Sequence, residues 1–287
     1  MILFAITDIA GARVIRFPLS ADLNADIQSV FTEQRDAFFA GITDEIAFDG
    51  RYTPDEDELL TIADFPDVDG LAGAVANPLS VDQFDPDEHS LERVKAIFVG
   101  LNHDGGTQIL VQLFERRRLI SKGLLSMFFS GGAFQKMEAS GLSLDKKLLA
   151  VIENDLLKFQ SFHFAKRVFD LSEFFREATN DEVRSFAEHD KLSVDDVDQF
   201  IGNAGPQTRK KISLILQSGV LDRHPVAHIA GVANTMQLDI ALTVDGKIVL
   251  PSNKTELKKI LRFLDEDYYE SPLSATRYIS NSKRVAD

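Results

Sequence analysis

The spacing of the hydrophobic residues changes about 160 residues into this chain of 287. Before that point, short runs rich in β-branched residues predict strands, including a pair at Lys95–Leu101 and Thr107–Phe114 joined through Gly105 and Gly106. After it, apolar residues recur three and four positions apart, which is typical of amphipathic helices. The change predicts an α+β protein with a β-rich N-terminal part, followed by a mainly helical C-terminal part with a β-hairpin.

We therefore expect two domains, residues 1–160 and residues 161–287. Residues 64–90 combine prolines with many aspartates and little periodicity, so they are predicted as a long acidic loop or a partly ordered insertion of the first domain. In the second domain, a hairpin is predicted for Ile240–Leu250 around Asp245 and Gly246. One helix is expected from Pro206 to Gly219, and a last one over residues 254–264, capped by Asn253.

Charge is distributed unevenly along the chain. The formal net charge is −14, yet residues 1–90 alone contain 19 acidic residues and four arginines, whereas residues 91–287 contain 27 basic and 26 acidic residues. Such asymmetry indicates an electrostatic role for the acidic part, either screening a cationic surface or contacting a basic partner. An ordinary solubility surface would give the same composition.

The basic residues after position 90 form four clusters. One follows the second predicted strand of the pair, and one opens the helix at Pro206. A third is a stripe at i, i+4 and i+8 along the last helix, and the fourth is in the tail. Cations in a first helical turn are disfavoured by about 0.3–1 kcal/mol each, but with a phosphate they act together with the free N–H groups. The stripe opposes an apolar face of the same helix. The candidate phosphate-binding residues are Arg116, Arg117, Arg118, Arg209, Lys210, Lys211, Lys254, Lys258, Arg262, Arg277, Lys283 and Arg284.

Two of these clusters could instead be neutralised by nearby carboxylates. The helix at Pro206 follows Asp195, Asp196 and Asp198, which could pair with its first-turn cations. The stripe on the last helix is followed by residues 265–267, an acidic cluster that could neutralise a solvated face.

Motifs of catalysis are mostly absent from the sequence. There is no P-loop, no nucleophile elbow and no cysteine, and neither a cofactor nor a bound metal is expected. His224 and His228 are four residues apart, but Pro225 lies between them. Asp145, followed by Lys146 and Lys147, weakly resembles the acidic-x-Lys pattern of metal-dependent nucleases, with Glu153 as a further carboxylate. A nuclease therefore remains an alternative to a non-enzymatic protein.

The longest stretch without a charged residue, His224–Leu238, has fifteen residues. It is too short and too polar to span a bilayer, so a soluble protein is expected.

The C-terminal tail carries a resemblance to a known family. Its sequence has an acidic cluster followed by two tyrosines (Asp265–Tyr269), then Ser271–Leu273, then Arg277-Tyr278 and Asn281–Arg284. This order resembles the carboxy-terminus of the KwaB family, the cytoplasmic subunits of the Kiwa antiphage system. The similarity extends over about Lys95 to Arg284, and residues 1–90 match nothing characteristic of that family.

The resemblance implies a cytoplasmic, dimeric protein that binds DNA without an established catalytic role. It also implies association with a small membrane protein, KwaA, which would bring the protein to the inner membrane face. DNA binding would then block phage replication and late transcription. DNA contacts are carried over only onto Arg277, Lys283 and Arg284, because the other clusters rest on charge and spacing alone. A non-catalytic assembly subunit that binds protein instead of DNA is the remaining alternative.

Overall fold

The structure of the protein is a computed structural model. It describes residues 1–65, 68–103, 106–120, 127–136, 141–172, 176–280 and 282–284. The chain divides into two compact units. The first comprises Met1–Phe48 and Thr53–Leu171, and the second comprises Ser172–Asp287 together with the short segment Asp49–Tyr52. The sequence pattern had placed the boundary after residue 160 and gave no sign that four residues near position 50 belong to the second unit.

An eight-stranded sheet is the centre of the described part of the first unit. Its strands are β1 (Leu3–Thr7), β2 (Val14–Phe17), β3 (Asp44–Ala47), β4 (Glu58–Ala63), β5 (Val94–His103), β6 (Gly106–Leu113), β11 (Ala150–Glu153) and β12 (Leu156–Phe159). Across the sheet they follow the order β2-β1-β5-β6-β11-β12-β4-β3. Neighbouring strands are antiparallel except for the parallel pair β3–β4. The expected pairing of residues 95–101 with 107–114 is confirmed as β5–β6, and Asp104 and Gly105 of its connection lie outside the described residues.

A long helix, α1 (Ala21–Phe39), covers one face of this sheet. The side chain of Ser20 caps the helix by accepting a hydrogen bond from the backbone N–H of Leu23. Ile27, Phe31 and Phe38 recur at helical spacing and are buried in one cluster with strand residues such as Ile97, Val99 and Leu110. Each such fully buried side chain contributes roughly 1.5–3 kcal/mol to folding.

A second helix, α2 (Val68–Ala76), packs against β5 on the other face. Successive strand residues point to opposite faces, so Gly100 faces away from the cluster that contains Val99. A Cβ atom added to Gly100 would lie 2.2 Å from Cγ1 of Val75, so only a glycine admits the helix this closely. The helix corrects the prediction of a long acidic loop over residues 64–90. Leu71 and Ala74 are buried, but this apolar stripe is too short to stand out among prolines and aspartates.

The described parts of the segment between β6 and β11 form small two-stranded sheets. Arg116–Arg118 make one 3-10 turn and lead into β7 (Leu119–Ile120), which pairs with β10 (Gly141–Leu142). Between them, β8 (Met127–Ser130) and β9 (Ala133–Lys136) form a hairpin. The unit also contains the short helix α3 (Phe162–Ala165).

The second unit is mainly helical. Its described helices are α4 (Asn180–Ala187), α5 (Val197–Asn203), α6 (Pro206–Ser218), α7 (Val220–Arg223), α8 (Val226–Thr235) and α9 (Lys254–Leu264). They pack around a common core that includes Phe186, Ile212, Ile215 and Leu261. Gly219 ends α6 with φ +62°, and Asn253 caps α9 by accepting from two backbone N–H groups, so both expected helices are confirmed.

Short strands complete this unit: β13 (Leu192–Ser193), β14 (Ile248–Val249), β15 (Tyr268–Glu270) and β16 (Arg277–Ile279). The hairpin expected around Asp245 and Gly246 is only partly formed. The turn is present, but Leu242 and Ile248 make a single bridge, and β14 pairs in parallel with β13 instead. Ile240 packs against the helical core, but Val244 at the end of the same arm is fully exposed, so this end of the expected hairpin has no core to pack on. The regular C-terminal hairpin is β15–β16.

The expected α+β class is confirmed, with the large sheet in the N-terminal part and helices plus a hairpin in the C-terminal part. Among the described helices, none combines the length and apolar character needed to cross a bilayer.

Candidate functional site

Helices α6 and α9 line a cleft of the second unit that has a volume of about 590 Å³. Seven cationic and four acidic side chains line it, which gives a net charge of +3 in a chain of net charge −14. These charged residues are Arg51, Asp195, Asp196, Lys210, Lys211, Lys254, Lys258, Arg262, Asp265, Asp267 and Lys283. The cleft therefore joins residues from three of the four basic clusters.

Two buried aspartates, Asp265 and Asp267, lie at the C-terminal end of α9 and form the floor of the cleft. Their side chains are 1% and 2% exposed. Lys211 of α6 bridges them, with Nζ 2.5 Å from Oδ2 of Asp265 and 2.6 Å from Oδ2 of Asp267. The ammonium group thus joins α6 to the end of α9.

Two further cations, Lys283 and Arg51, complete this floor. Nζ of Lys283 lies 3.1 Å from Oδ1 of Asp267 and also donates to the backbone oxygen of Asp265. Arg51 places Nη2 3.4 Å from Oδ1 of Asp265 and donates to the backbone oxygen of Leu214 at 2.9 Å. Burial raises the pKa of Asp265 above the usual value of an aspartate, while a hydrogen bond from Lys211 and the charges of the three cations act in the opposite direction.

The wall cations Lys254, Lys258 and Arg262 are of a different kind. They follow one another at i, i+4 and i+8 on α9, and within the described part of the chain none of their side chains has a hydrogen bond or ion pair. Lys254 and Lys258 are exposed. Of the acidic cluster at residues 265–267 that could neutralise this stripe, Asp265 and Asp267 are paired with the floor cations instead.

The three basic residues at the start of α6, residues 209–211, do not all line the cleft. Arg209 turns away from the cleft and donates to three backbone oxygens, those of Ala178, Ile201 and Ala204, and to Oδ1 of Asn180. It holds the preceding segments together. Lys210 and Lys211 line the cleft.

Two of the three acidic residues before α6 have partners elsewhere. Asp198 pairs with Arg184 at 2.6 Å, and Asp196 caps α5 by accepting from Gln199 N. Neither is therefore simply a counter-charge for the start of α6.

The remaining predicted residues lie outside the cleft. In the first unit, Arg118 pairs with Asp145 at 2.6 Å and Arg117 with Glu115 at 2.5 Å, while Arg116 is exposed. In the second unit, Arg277 pairs with Glu270 across the β15–β16 hairpin, and Arg284 stacks on the ring of Tyr52 at 5.2 Å. Asn281 of the tail motif lies outside the described residues.

The carboxylates considered for a nuclease are engaged in the first unit. Asp145 is the partner of Arg118, and Glu153 accepts from Gln108 at 2.8 Å and lies 3.5 Å from Lys158. Over the described residues, no group of three His, Asp or Glu side chains is arranged to hold a metal ion.

A family model described as Kiwa protein KwaB-like matches residues 91–274. The chain belongs to the KwaB-like family. Membership implies a role in Kiwa antiphage defence. The match includes α6, α9 and both floor aspartates, and it ends before Arg277 and Lys283. No curated protein and no solved structure matches the chain.

In this KwaB-like chain, sequence reasoning selected Lys211 and Lys283 as phosphate contacts but missed that they form the cleft floor with two aspartates and Arg51. Asp265 and Asp267 were considered as part of the tail motif and as possible neutralisers of the α9 stripe, and Arg51 was not singled out. One signal was available for the aspartates, because an Asp-x-Asp pair directly after an amphipathic helix is followed by a basic tail. Nothing near Arg51 indicates that it meets residues more than 150 positions away.

Proposed function

We propose that this KwaB-like protein binds DNA in antiphage defence, through phosphate contacts that are largely independent of sequence. The observation that carries the proposal is the stripe Lys254, Lys258 and Arg262, which has no ion-pair partner among the described residues and lines a cleft of net positive charge. Contacts from Lys and Arg to phosphate position a protein on DNA without reading its bases.

The spacing of the stripe supports an extended polyanion as the ligand. At a rise of about 1.5 Å per residue, the three cations are about 6 Å apart along α9 and span about 12 Å. Like charges at i and i+4 destabilise a helix by about 0.2–0.5 kcal/mol per pair, and a row of phosphates would offset this cost. Lys210, at the start of α6, adds a cation on the other side of the cleft.

Floor and wall have separate roles in this proposal. Lys211 and Lys283 hold the buried aspartates and so fix α6, α9 and the tail in place. Lys254, Lys258, Arg262 and Lys210 contact the phosphates. The predicted contacts Arg116, Arg117, Arg118, Arg209, Arg277 and Arg284 lie outside the cleft and are secondary in this proposal.

Family membership supports the wider role. We propose a homodimer without catalytic activity that works in the cytoplasm and is recruited to the inner membrane face by a small membrane protein resembling KwaA. DNA binding there would block phage DNA replication and transcription.

Fluorescence anisotropy with a labelled DNA duplex, titrated at several salt concentrations, tests DNA binding. The affinity is expected to fall steeply with salt. Neutralising the stripe with Lys254→Gln, Lys258→Gln and Arg262→Gln should weaken binding and reduce the log–log salt slope by about 2.7, because each phosphate contact contributes about 0.9. The matched control neutralises three cations of the same unit that do not line the cleft, Arg223, Lys247 and Lys259, and should leave the slope nearly unchanged.

The same titration separates the two alternatives. Cleavage of the DNA that requires magnesium and is lost in Asp145→Ala would establish a nuclease instead. Absence of binding even at low salt would leave a protein-binding assembly subunit, for which charge reversal of the stripe should disrupt oligomers.

A further inference from the structure

The β15–β16 hairpin presents two tyrosine rings to solvent. Tyr269 and Tyr278 are opposite each other in the strand register. Their ring centroids are 5.4 Å apart and their planes differ by 21°, so the rings are stacked. They remain 49% and 45% exposed. Each ring therefore contacts its partner and retains accessible surface.

The root of this hairpin lies at the floor of the cleft. Tyr269 is two residues beyond Asp267, which places their Cα atoms at most about 7 Å apart. On the returning strand, the N–H of Ser280 donates to the backbone oxygen of Asp267 at 2.8 Å, and Lys283 then reaches the floor aspartates. Both strands of the hairpin are thus tied to the residues that organise the cationic cleft.

Aromatic side chains next to a cationic groove are the combination that binds single-stranded nucleic acid. A base stacked on an aromatic ring is recognised through its π-face, whatever its identity, while cations hold the backbone. In a duplex the bases are stacked on each other and their faces are not available.

We propose that Tyr269 and Tyr278 form a stacking platform for unpaired bases, so that the cleft preferentially binds DNA with a single-stranded segment. The cleft holds the phosphates, and the hairpin holds the adjoining bases. This inference rests on the proposed DNA binding and adds to it the structure of DNA that is preferred.

Two other roles of the tyrosine pair are stabilisation of the hairpin itself and contact with a protein partner. Each predicts a different effect when the rings are removed. A cross-strand aromatic pair stabilises a hairpin by itself, and an exposed hairpin can also pair with another protein chain. The neighbouring row of wall cations favours a polyanion, because lysine is depleted from protein–protein interfaces.

The test compares a labelled single strand with a duplex of the same length at one salt concentration. The wild type should bind the single strand more tightly. Changing both tyrosines to valine keeps a residue suited to a strand but removes the rings, and should weaken single-strand binding by at least about tenfold. Changing both to phenylalanine keeps the rings and should preserve the affinity. Duplex binding should be unaffected by either change.

Tyrosine fluorescence gives a second readout. The chain has four tyrosines and no tryptophan, so quenching on addition of a single strand reports stacking directly. The quenching should be retained by a variant with Tyr52→Phe and Tyr268→Phe and lost in the variant with valine at positions 269 and 278.

Each remaining outcome contradicts the inference in a distinguishable way. If the valine variant binds the single strand like the wild type, there is no platform, while salt-dependent duplex binding through the cleft still stands. If the valine changes abolish self-association or capture of a protein partner but leave DNA binding intact, the hairpin is a protein interface. If neither form of DNA binds, the proposed function fails and this inference with it.

Discussion

Lysines of the same cleft have different roles, which depend on whether a buried carboxylate lies next to them. Lys211 and Lys283 lie against buried carboxylates, whereas Lys254 and Lys258 extend from an exposed helix face. The spacing on α9 made the wall cations predictable, because i, i+4 and i+8 fall on one side of any helix. The floor was not predictable, since it forms only where the chain returns after β16 and where residues 49–52 join the second unit.

Substitution of a floor lysine should therefore destabilise the protein, whereas substitution of a wall lysine should not. Lys211→Met leaves two buried carboxylates with one hydrogen-bonded cation fewer, which is expected to lower the free energy of unfolding by about 3 kcal/mol or more. Lys254→Met should change it by less than about 0.5 kcal/mol. Urea denaturation followed by tyrosine fluorescence measures this in the second unit, because all four tyrosines belong to it.

A second pair of changes checks the cause. Replacing Asp265 by asparagine in the Lys211→Met background removes the buried charge that has lost its closest cation, leaves the pair of Asp267 with Lys283 in place, and should recover part of the loss. An equal loss for Lys211→Met and Lys254→Met would show that the buried network contributes no special stability.

At the level of elements, helices with clear start and stop signals could be predicted and short elements could not. The helix α6 has Pro206 at its start and Gly219 at its end, and α9 has Asn253 as a cap. In contrast, α2 is nine residues long in an acidic stretch, and its place depends on a glycine 25 positions beyond Val75. Such long-range fits leave no periodic signal in either segment.

The contact between α2 and β5 predicts a specific rescue. Gly100→Ala puts a methyl group into the space of Val75 and should destabilise the first unit by about 1–3 kcal/mol, as overpacking does. Val75→Ala makes room, so the double variant should be more stable than Gly100→Ala alone. Thermal unfolding followed by far-UV circular dichroism, with a double-mutant cycle, measures the coupling. Additive effects of the two changes would mean that the helix does not depend on this glycine.

On the scale of the whole molecule, both units carry net negative charge, and the first unit carries more of it. The first unit contains 15 basic and 26 acidic residues, and the second contains 16 basic and 19 acidic residues. The protein is thus a net anion in both units, whereas the lining of the cleft has a net charge of +3. For the proposed DNA binding, this distribution predicts that the acidic part repels DNA over long distances, whereas the cleft attracts phosphate at short range.

This division predicts how acidic residues far from the cleft in sequence affect binding. Replacing the exposed carboxylates Asp26, Glu33 and Asp36 of α1 by Asn, Gln and Asn should raise DNA affinity at an ionic strength of about 0.01 M, where the Debye length is about 30 Å. At about 0.15 M the length is about 8 Å, and the gain should disappear. A variant that exchanges Asp and Glu at the same positions keeps the charge and should behave like the wild type at both salt concentrations. Anisotropy titrations of the three proteins measure these affinities. A gain in affinity that persists at the higher ionic strength would indicate a direct contact with DNA. No gain at the lower ionic strength would mean that the acidic part does not oppose DNA binding.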